Sequence, residues 1–99
     1  MGRNLKYLIV VLPSAERSLR RIPRRDLRRI SEKIDLLAID PRPPDARVIQ
    51  RQKGLLRLRV GDYRVLYRVR DDIVEIIVVR IAHRKDAYRN LRSLTQRFD

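Results

Sequence analysis

The stretch Ala82-His83-Arg84-Lys85-Asp86-Ala87-Tyr88 gathers a histidine, two cations and a phenol within seven positions. Such a group at the end of a strand is a common setting for an active site. Of the basic side chains here, only an imidazole titrates near neutral pH unaided, whereas arginine stabilises charge but scarcely takes up or releases a proton. His83, the single histidine of the chain, is therefore the natural acid or base. Its plainer reading is a solvent-touching histidine with no catalytic part. Tyr88 shares helical spacing with Leu91, which suits core packing, yet a tyrosine beside cations also stacks on a base or donates a proton.

A second group lies upstream. Arg57 and Arg59 alternate with Leu56, Leu58 and Val60, so the two arginines share one face of a strand. Arg64 and Arg68 share a face of the next strand. Like charges facing each other across strands repel, and the arrangement is easier to understand with an anion among them. The alternative is the solvated outer face of a basic protein. Cutting RNA without a metal needs a base to activate the ribose 2′-hydroxyl, cations to stabilise the crowded phosphorane and an acid for the leaving oxygen. These residue types suffice, with Lys53, Arg57, Arg59, Arg68 and Lys85 as RNA contacts. Asp62 could also act as base, although aspartate after glycine is a common turn residue.

The elements that must position these groups follow from periodicity. Residues 5–12 are apolar and rich in branched side chains, a strand ended by Pro13 and Ser14. Ala15, Leu19 and Ile22 recur at helical spacing, Pro23 interrupts, and Leu27, Ile30, Ile34 and Leu37 resume it. Two amphipathic helices result, carrying Arg17, Arg20, Arg21, Arg24, Arg25, Arg28 and Arg29 on polar positions, the second stopping near Asp40 because Pro41 follows. Residues 41–53, with three prolines, form a loop or an exposed extended arm. Strand 56–60 turns at Gly61-Asp62 into strand 63–69, and Asp71-Asp72 turns that into the apolar run 73–81. From Asp86, the positions Tyr88, Leu91, Leu94 or Thr95, and Phe98 predict a short terminal helix. The expected fold is α+β, ordered βααβββα, with two helices on one face of an antiparallel sheet and a basic opposite face.

At 99 residues the chain is expected to form a single domain spanning 1–99. No apolar stretch approaches the ~20 residues of a membrane span, and the first twelve residues lack the pattern of a signal peptide, which predicts a cytoplasmic location. The absence of cysteine, with one histidine, excludes a disulfide framework, a thiolate metal site and an imidazole-rich zinc centre; no metal or other cofactor is expected. A balance of 25 basic to 12 acidic side chains leaves a net charge of +13. That charge favours polyanions through counterion release and long-range steering, nucleic acid foremost.

The segments Leu56-Arg57-Leu58-Arg59-Val60-Gly61-Asp62-Tyr63-Arg64-Val65-Leu66-Tyr67 and Val79-Arg80-Ile81-Ala82-His83-Arg84-Lys85-Asp86-Ala87-Tyr88-Arg89 together resemble the RelE branch of the RelE/ParE toxin superfamily. The two amphipathic helices, Asp40-Pro41-Arg42-Pro43 and Gly54 are similar to that family's layout, so the resemblance spans nearly the whole chain. It implies a toxin that enters the ribosomal acceptor (A) site and cuts messenger RNA by attack of a 2′-hydroxyl on the adjacent phosphate, without a metal. It also implies a RelB-like antitoxin, small and acidic, wrapping the basic helices and the cationic face in a heteromeric complex. By matching position, Arg64 resembles the arginine that stabilises the transition state, Arg84 a second phosphate-binding cation, and Tyr88 the tyrosine that stacks on or orients the nucleotide. Where some ribosome-dependent members carry lysines, this chain has Arg57 and Arg59, and arginine is a poor base; His83 is the candidate for proton transfer.

Two other functions compete. A ParE-type toxin of the same fold poisons DNA gyrase by binding and has no need of a cationic, titratable cluster. A basic RNA-binding module without catalysis would bind with a steep salt dependence and release no cut product.

Overall fold

A computed structural model describes residues 6–91 of the chain. The elements run β1 (Leu8–Val11), α1 (Pro13–Leu19), α2 (Arg24–Leu37), β2 (Arg47–Val48), β3 (Leu56–Val60), β4 (Tyr63–Arg70) and β5 (Glu75–His83). The five strands form one sheet in the order β1-β5-β4-β3-β2. The α+β architecture with its β3–β4–β5 meander is as expected, with one difference of direction. β1 pairs with β5 in parallel, making the sheet mixed. The chain leaves β1 through α1 and α2, re-enters the sheet at its far edge through β2 and reaches β5 only after β3 and β4, so the parallel neighbours are joined by a long crossover and not by a hairpin.

Both helices pack on one face. Pro13 sits in the first turn of α1, where the missing N–H is tolerated, and Pro23 precedes α2. In α2 the buried residues Ile30, Ile34 and Leu37 recur at the spacing of one helical stripe. They join Ala15 and the inward residues Leu56, Leu58, Val60, Val65, Tyr67, Ile76, Val78 and Ile81 in the main core. Full burial of each aliphatic side chain contributes about 1.5–3 kcal/mol. Tyr67 is wholly buried and satisfies its hydroxyl by donating to the Pro41 carbonyl oxygen at 2.7 Å.

The expected loop 41–53 holds the short edge strand β2, antiparallel to β3. Its Arg47 guanidinium donates to the Pro44 and Ala46 carbonyls at 2.6 and 2.9 Å, stiffening the proline-rich approach. The outer sheet face is not entirely polar. Leu55, Leu66 and Val79 form a second, smaller apolar cluster there, against which Leu12, Ile49, Ile77 and Leu91 pack. The expected helix does not start at Asp86: residues 84–90 form turns, Asn90 has φ +50°, and helix begins no earlier than Leu91. The remainder of that expected helix, Phe98 included, lies outside the described residues. Among the described residues no helix is long and apolar enough to cross a membrane.

Candidate nucleic-acid interface

The register of the meander decides which side chains meet. Arg59 pairs with Arg64 and Arg64 with Ala82, while Arg57 pairs with Leu66 and Leu66 with Arg80. Directly paired residues lie on the same face, so Arg57, Arg59, Arg64 and Arg80 form two adjacent rows on the outer face, with the small Ala82 completing one row. Four arginines thus share the outer face around the buried side chains of Leu66 and Val79.

A break in regular pairing brings Arg80 there. Tyr67 pairs with Val78 and Leu66 with Arg80, so Val79 is an extra residue opposite the Leu66/Tyr67 step. Such a β-bulge restarts the alternation of the strand. Val79 and Arg80 both serve the outer face, and beyond the bulge Ile81 returns to the main core. The same shift carries His83 to the helix side. It pairs with Tyr63, whose ring meets the imidazole edge-on at a centroid separation of 5.8 Å and packs against the main core. His83 Nδ1 accepts the Lys85 backbone N–H at 3.2 Å. The structure therefore does not bring His83 together with Arg64.

The two arginines singled out with it do converge, on the β3–β4 turn. Gly61 has φ +59°, which a two-residue hairpin requires of its first residue and glycine adopts without penalty. Arg64 Nη1 donates to the Gly61 carbonyl at 3.0 Å and the Tyr63 carbonyl at 2.9 Å. Arg84 donates its backbone N–H to the Asp62 carbonyl at 2.7 Å, and its Nε lies 3.8 Å from an Asp62 carboxylate oxygen. Asp62 thus steers Arg84 beside Arg64, an exposed, loose pairing whose main effect is orientation.

Tyr88 is 44% exposed and so does not fill the core. It stands between Ala87, which is buried, and Arg89. Arg80 Nη1 donates to the Ala87 carbonyl at 3.0 Å and also to the Arg89 carbonyl. Burial lowers the Arg80 pKa from its usual value, but a guanidinium stays charged throughout the physiological range. Arg80 therefore grips the backbone on both sides of Tyr88. Sequence reading did not single it out, although a lone cation inside the apolar run 73–81 was the available signal.

The remaining candidates sit further out. Arg68 Nη2 donates to the Lys53 carbonyl at 3.1 Å and lies against Gly54, whose φ is +76°, so this arginine holds the loop before β3. Lys53 and Lys85 are exposed, the first at the opposite end of the face from Arg84. Among the described residues no cluster of three or more histidine, cysteine, aspartate or glutamate side chains could hold a metal. Chemically, the face can bind and polarise a phosphodiester with guanidinium forks and present a ring for stacking.

Comparison with known proteins agrees with this architecture. Residues 9–88 match the family described as ParE toxin of type II toxin-antitoxin system, parDE. A relative in Methanocaldococcus jannaschii, named RelE1 and provisionally described as a toxin, is 32% identical over 87% of this chain and 99% of its own length. The RelE–RelB complex of Pyrococcus horikoshii contains a chain that superposes with a TM-score of 0.73 at 28% identity, covering 83% of this chain and 99% of that one. An Escherichia coli RelE variant with two arginines replaced shares the fold at a TM-score of 0.74 and 18% identity, over 95% of this chain and 99% of that one. The chain accordingly belongs to the RelE/ParE superfamily, as a RelE-type toxin of a type II toxin–antitoxin system.

Proposed function

We propose that this toxin is an endoribonuclease that cuts messenger RNA in the ribosomal A site through attack of a ribose 2′-hydroxyl on the adjacent phosphate. The observation that carries this reading is the convergence of Arg64 and Arg84 on one turn, beside Arg57, Arg59 and Arg80, with an exposed Tyr88 at the rim. Guanidinium groups so placed stabilise charge that develops on a phosphorane. They repel metal cations rather than ligate them, which supports a metal-independent route.

In this reading Arg64 holds the scissile phosphate, Arg84 neutralises a second oxygen and Tyr88 stacks on the neighbouring base. Arg57, Arg59 and Arg68 contact the strand across the face, with Lys53 and Lys85 at its margins. His83 packs against Tyr63 on the other side, and the Asp62 carboxylate lies 3.8 Å from Arg84 Nε on the turn where the two arginines converge. The proton from the 2′-hydroxyl is then taken by Asp62 or by water rather than by imidazole.

An acidic antitoxin is the expected partner in the cell. The Pyrococcus horikoshii relative and the Mycobacterium tuberculosis chain in the RelBE2 toxin–antitoxin complex are both solved with their antitoxins. Beside the cationic surfaces, Leu36 in the last turn of α2 and Ile39 just beyond the helix are exposed next to a cleft of about 220 Å³ that Leu58 also lines. That feature suits the apolar face of a partner helix.

The matched family's description supports a second reading, gyrase poisoning, in which the arginines serve only to bind. A defined messenger translated in a reconstituted extract separates the two, with wild type, Arg64→Ala and a ribosome-free control on one gel. Ribosome-dependent cuts that vanish in the variant uphold the nuclease; an intact messenger beside inhibited supercoiling upholds the gyrase poison.

A further inference from the structure

The basic helices carry a feature that an outer-face site does not use. α2 presents Arg24, Arg25, Arg28 and Arg29 in its first six residues, all exposed. Arg24 and Arg28, and likewise Arg25 and Arg29, stand one turn apart, where like charges repel. Among the described residues no carboxylate lies within ion-pair distance of any of them, whereas Lys33, Arg42, Arg70, Arg84 and Arg89 each have one. Four adjacent guanidinium groups, none of them ion-paired to Asp26 or Glu32 of the same helix, are placed for an anion from outside.

Their position relative to the sheet says which anion. Arg29 reaches from α2 to the β3–β4 turn, where its Nη1 lies 3.4 Å from the point a Cβ on Gly61 would occupy. A groove of about 300 Å³ runs between the two elements, lined by Arg29 and Lys33 on the helix side and Arg59, Val60 and Gly61 on the strand side. Glu32 is the carboxylate in that lining. The turn beneath Arg29 is the one on which Arg64 and Arg84 converge. Cations therefore extend from the outer face, round the end of the β3–β4 hairpin, onto α2, and outnumber the Asp62 and Glu32 carboxylates along the way.

We propose that this continuation binds the sugar-phosphate backbone of the RNA strand flanking the cleavage site, which leaves the arginine face past Gly61 and lies along Arg29 and Arg25. The proposal rests on the nuclease reading for the identity of the strand. A rise of about 6 Å separates Arg25 from Arg29, comparable with the step between neighbouring phosphates. An acidic protein segment could meet the same charges. Backbone RNA is favoured because the track is continuous with the phosphate-gripping arginines and the groove is open at the surface.

The test uses the full chain, with Arg25→Gln/Arg29→Gln as the variant, since glutamine keeps the helix propensity and removes the charges. Binding of single-stranded oligonucleotides lacking the attacking 2′-hydroxyl is measured by fluorescence anisotropy across a salt series, with one of about six and one of about sixteen nucleotides. The variant is expected to bind the longer strand roughly tenfold more weakly and to lose about 1.4 from its salt slope, two contacts at about 0.7 each. Its affinity for the shorter strand stays that of wild type. Unchanged affinity for both strands overturns the proposal, as does an equal loss on both. Unchanged RNA binding with weakened antitoxin binding overturns it in favour of a protein contact. Arg64→Ala, assayed for cleavage in parallel, keeps the two ideas apart: if it abolishes cutting while the α2 variant binds RNA normally, the nuclease stands and the track falls.

Discussion

Replacing His83 with alanine discriminates between what its residue type suggests and what its placement dictates. An imidazole acting as general acid or base contributes about 10²–10⁴-fold to a rate. In the structure His83 instead faces the helices, meets Tyr63 edge-on at 5.8 Å and accepts the Lys85 amide at 3.2 Å. An aromatic pair of this kind contributes about 0.5–1.5 kcal/mol beyond its buried area, and a neutral hydrogen bond at the surface about 1 kcal/mol or less. His83→Ala is thus expected to lower stability by about 1–2 kcal/mol and to leave cleavage within about threefold of wild type, a change of under 1 kcal/mol in the barrier. The assay is single-turnover cutting of a defined messenger on stalled ribosomes, with a denaturant titration of the same preparations. Arg64→Ala serves as the positive control, with a loss of about 10²–10³-fold, as for an oxyanion donor. A drop beyond about a hundredfold in His83→Ala at unaltered stability would refute the argument from register, because it would mean the imidazole reaches the reacting phosphate.

The other expectations concern the supports of the site. Arg80→Met keeps the apolar stem but removes the donor from the part-buried Ala87 carbonyl; at about 1.5–3 kcal/mol for a charged donor, cleavage should fall roughly 10–100-fold with far less effect on short-strand binding, and equal losses in both would count against a positioning role. Val74 has φ +54° in the turn before β5, a strained setting for a β-branched residue. Val74→Gly should therefore stabilise the protein by about 1 kcal/mol, seen as a rise of roughly 4–8 °C in thermal midpoint, and a fall would show the strain to be absent. Burial pushes the Tyr67 pKa up to about 12 from 10.0. A raised folded value means stability that is intact below pH 10 and is lost as pH climbs through about 12. Alkaline unfolding should accordingly coincide with tyrosinate absorbance in wild type, and Tyr67→Phe should weaken that coupling.

Several features were legible in the chain alone because each depends on neighbours close in sequence. Helical spacing interrupted by Pro23 marked α1 and α2, since a 3.6-residue period needs no knowledge of the partner surface. Alternation and Gly61-Asp62 marked the β3–β4 hairpin, and with it the sharing of one face by Arg57, Arg59 and Arg64. The net charge pointed to a polyanion through long-range electrostatics that depend little on fold. The parallel seat of β1 was not legible, because it depends on how the helical crossover lies over the sheet. Nor was the extent of the terminal helix, where Asn90 takes a positive φ that spacing does not encode. The decisive case is β5: an unbroken alternation would have put Arg80 on Val78's side, in the core, and His83 opposite it. One unpaired residue, Val79, reverses that phase. A bulge is specified by pairing with β4 and by the packing of Leu66, Tyr67 and Val78 on both faces, all long-range contacts. The types of the site residues thus belong to the sequence, while the choice of which of them meet belongs to the tertiary structure.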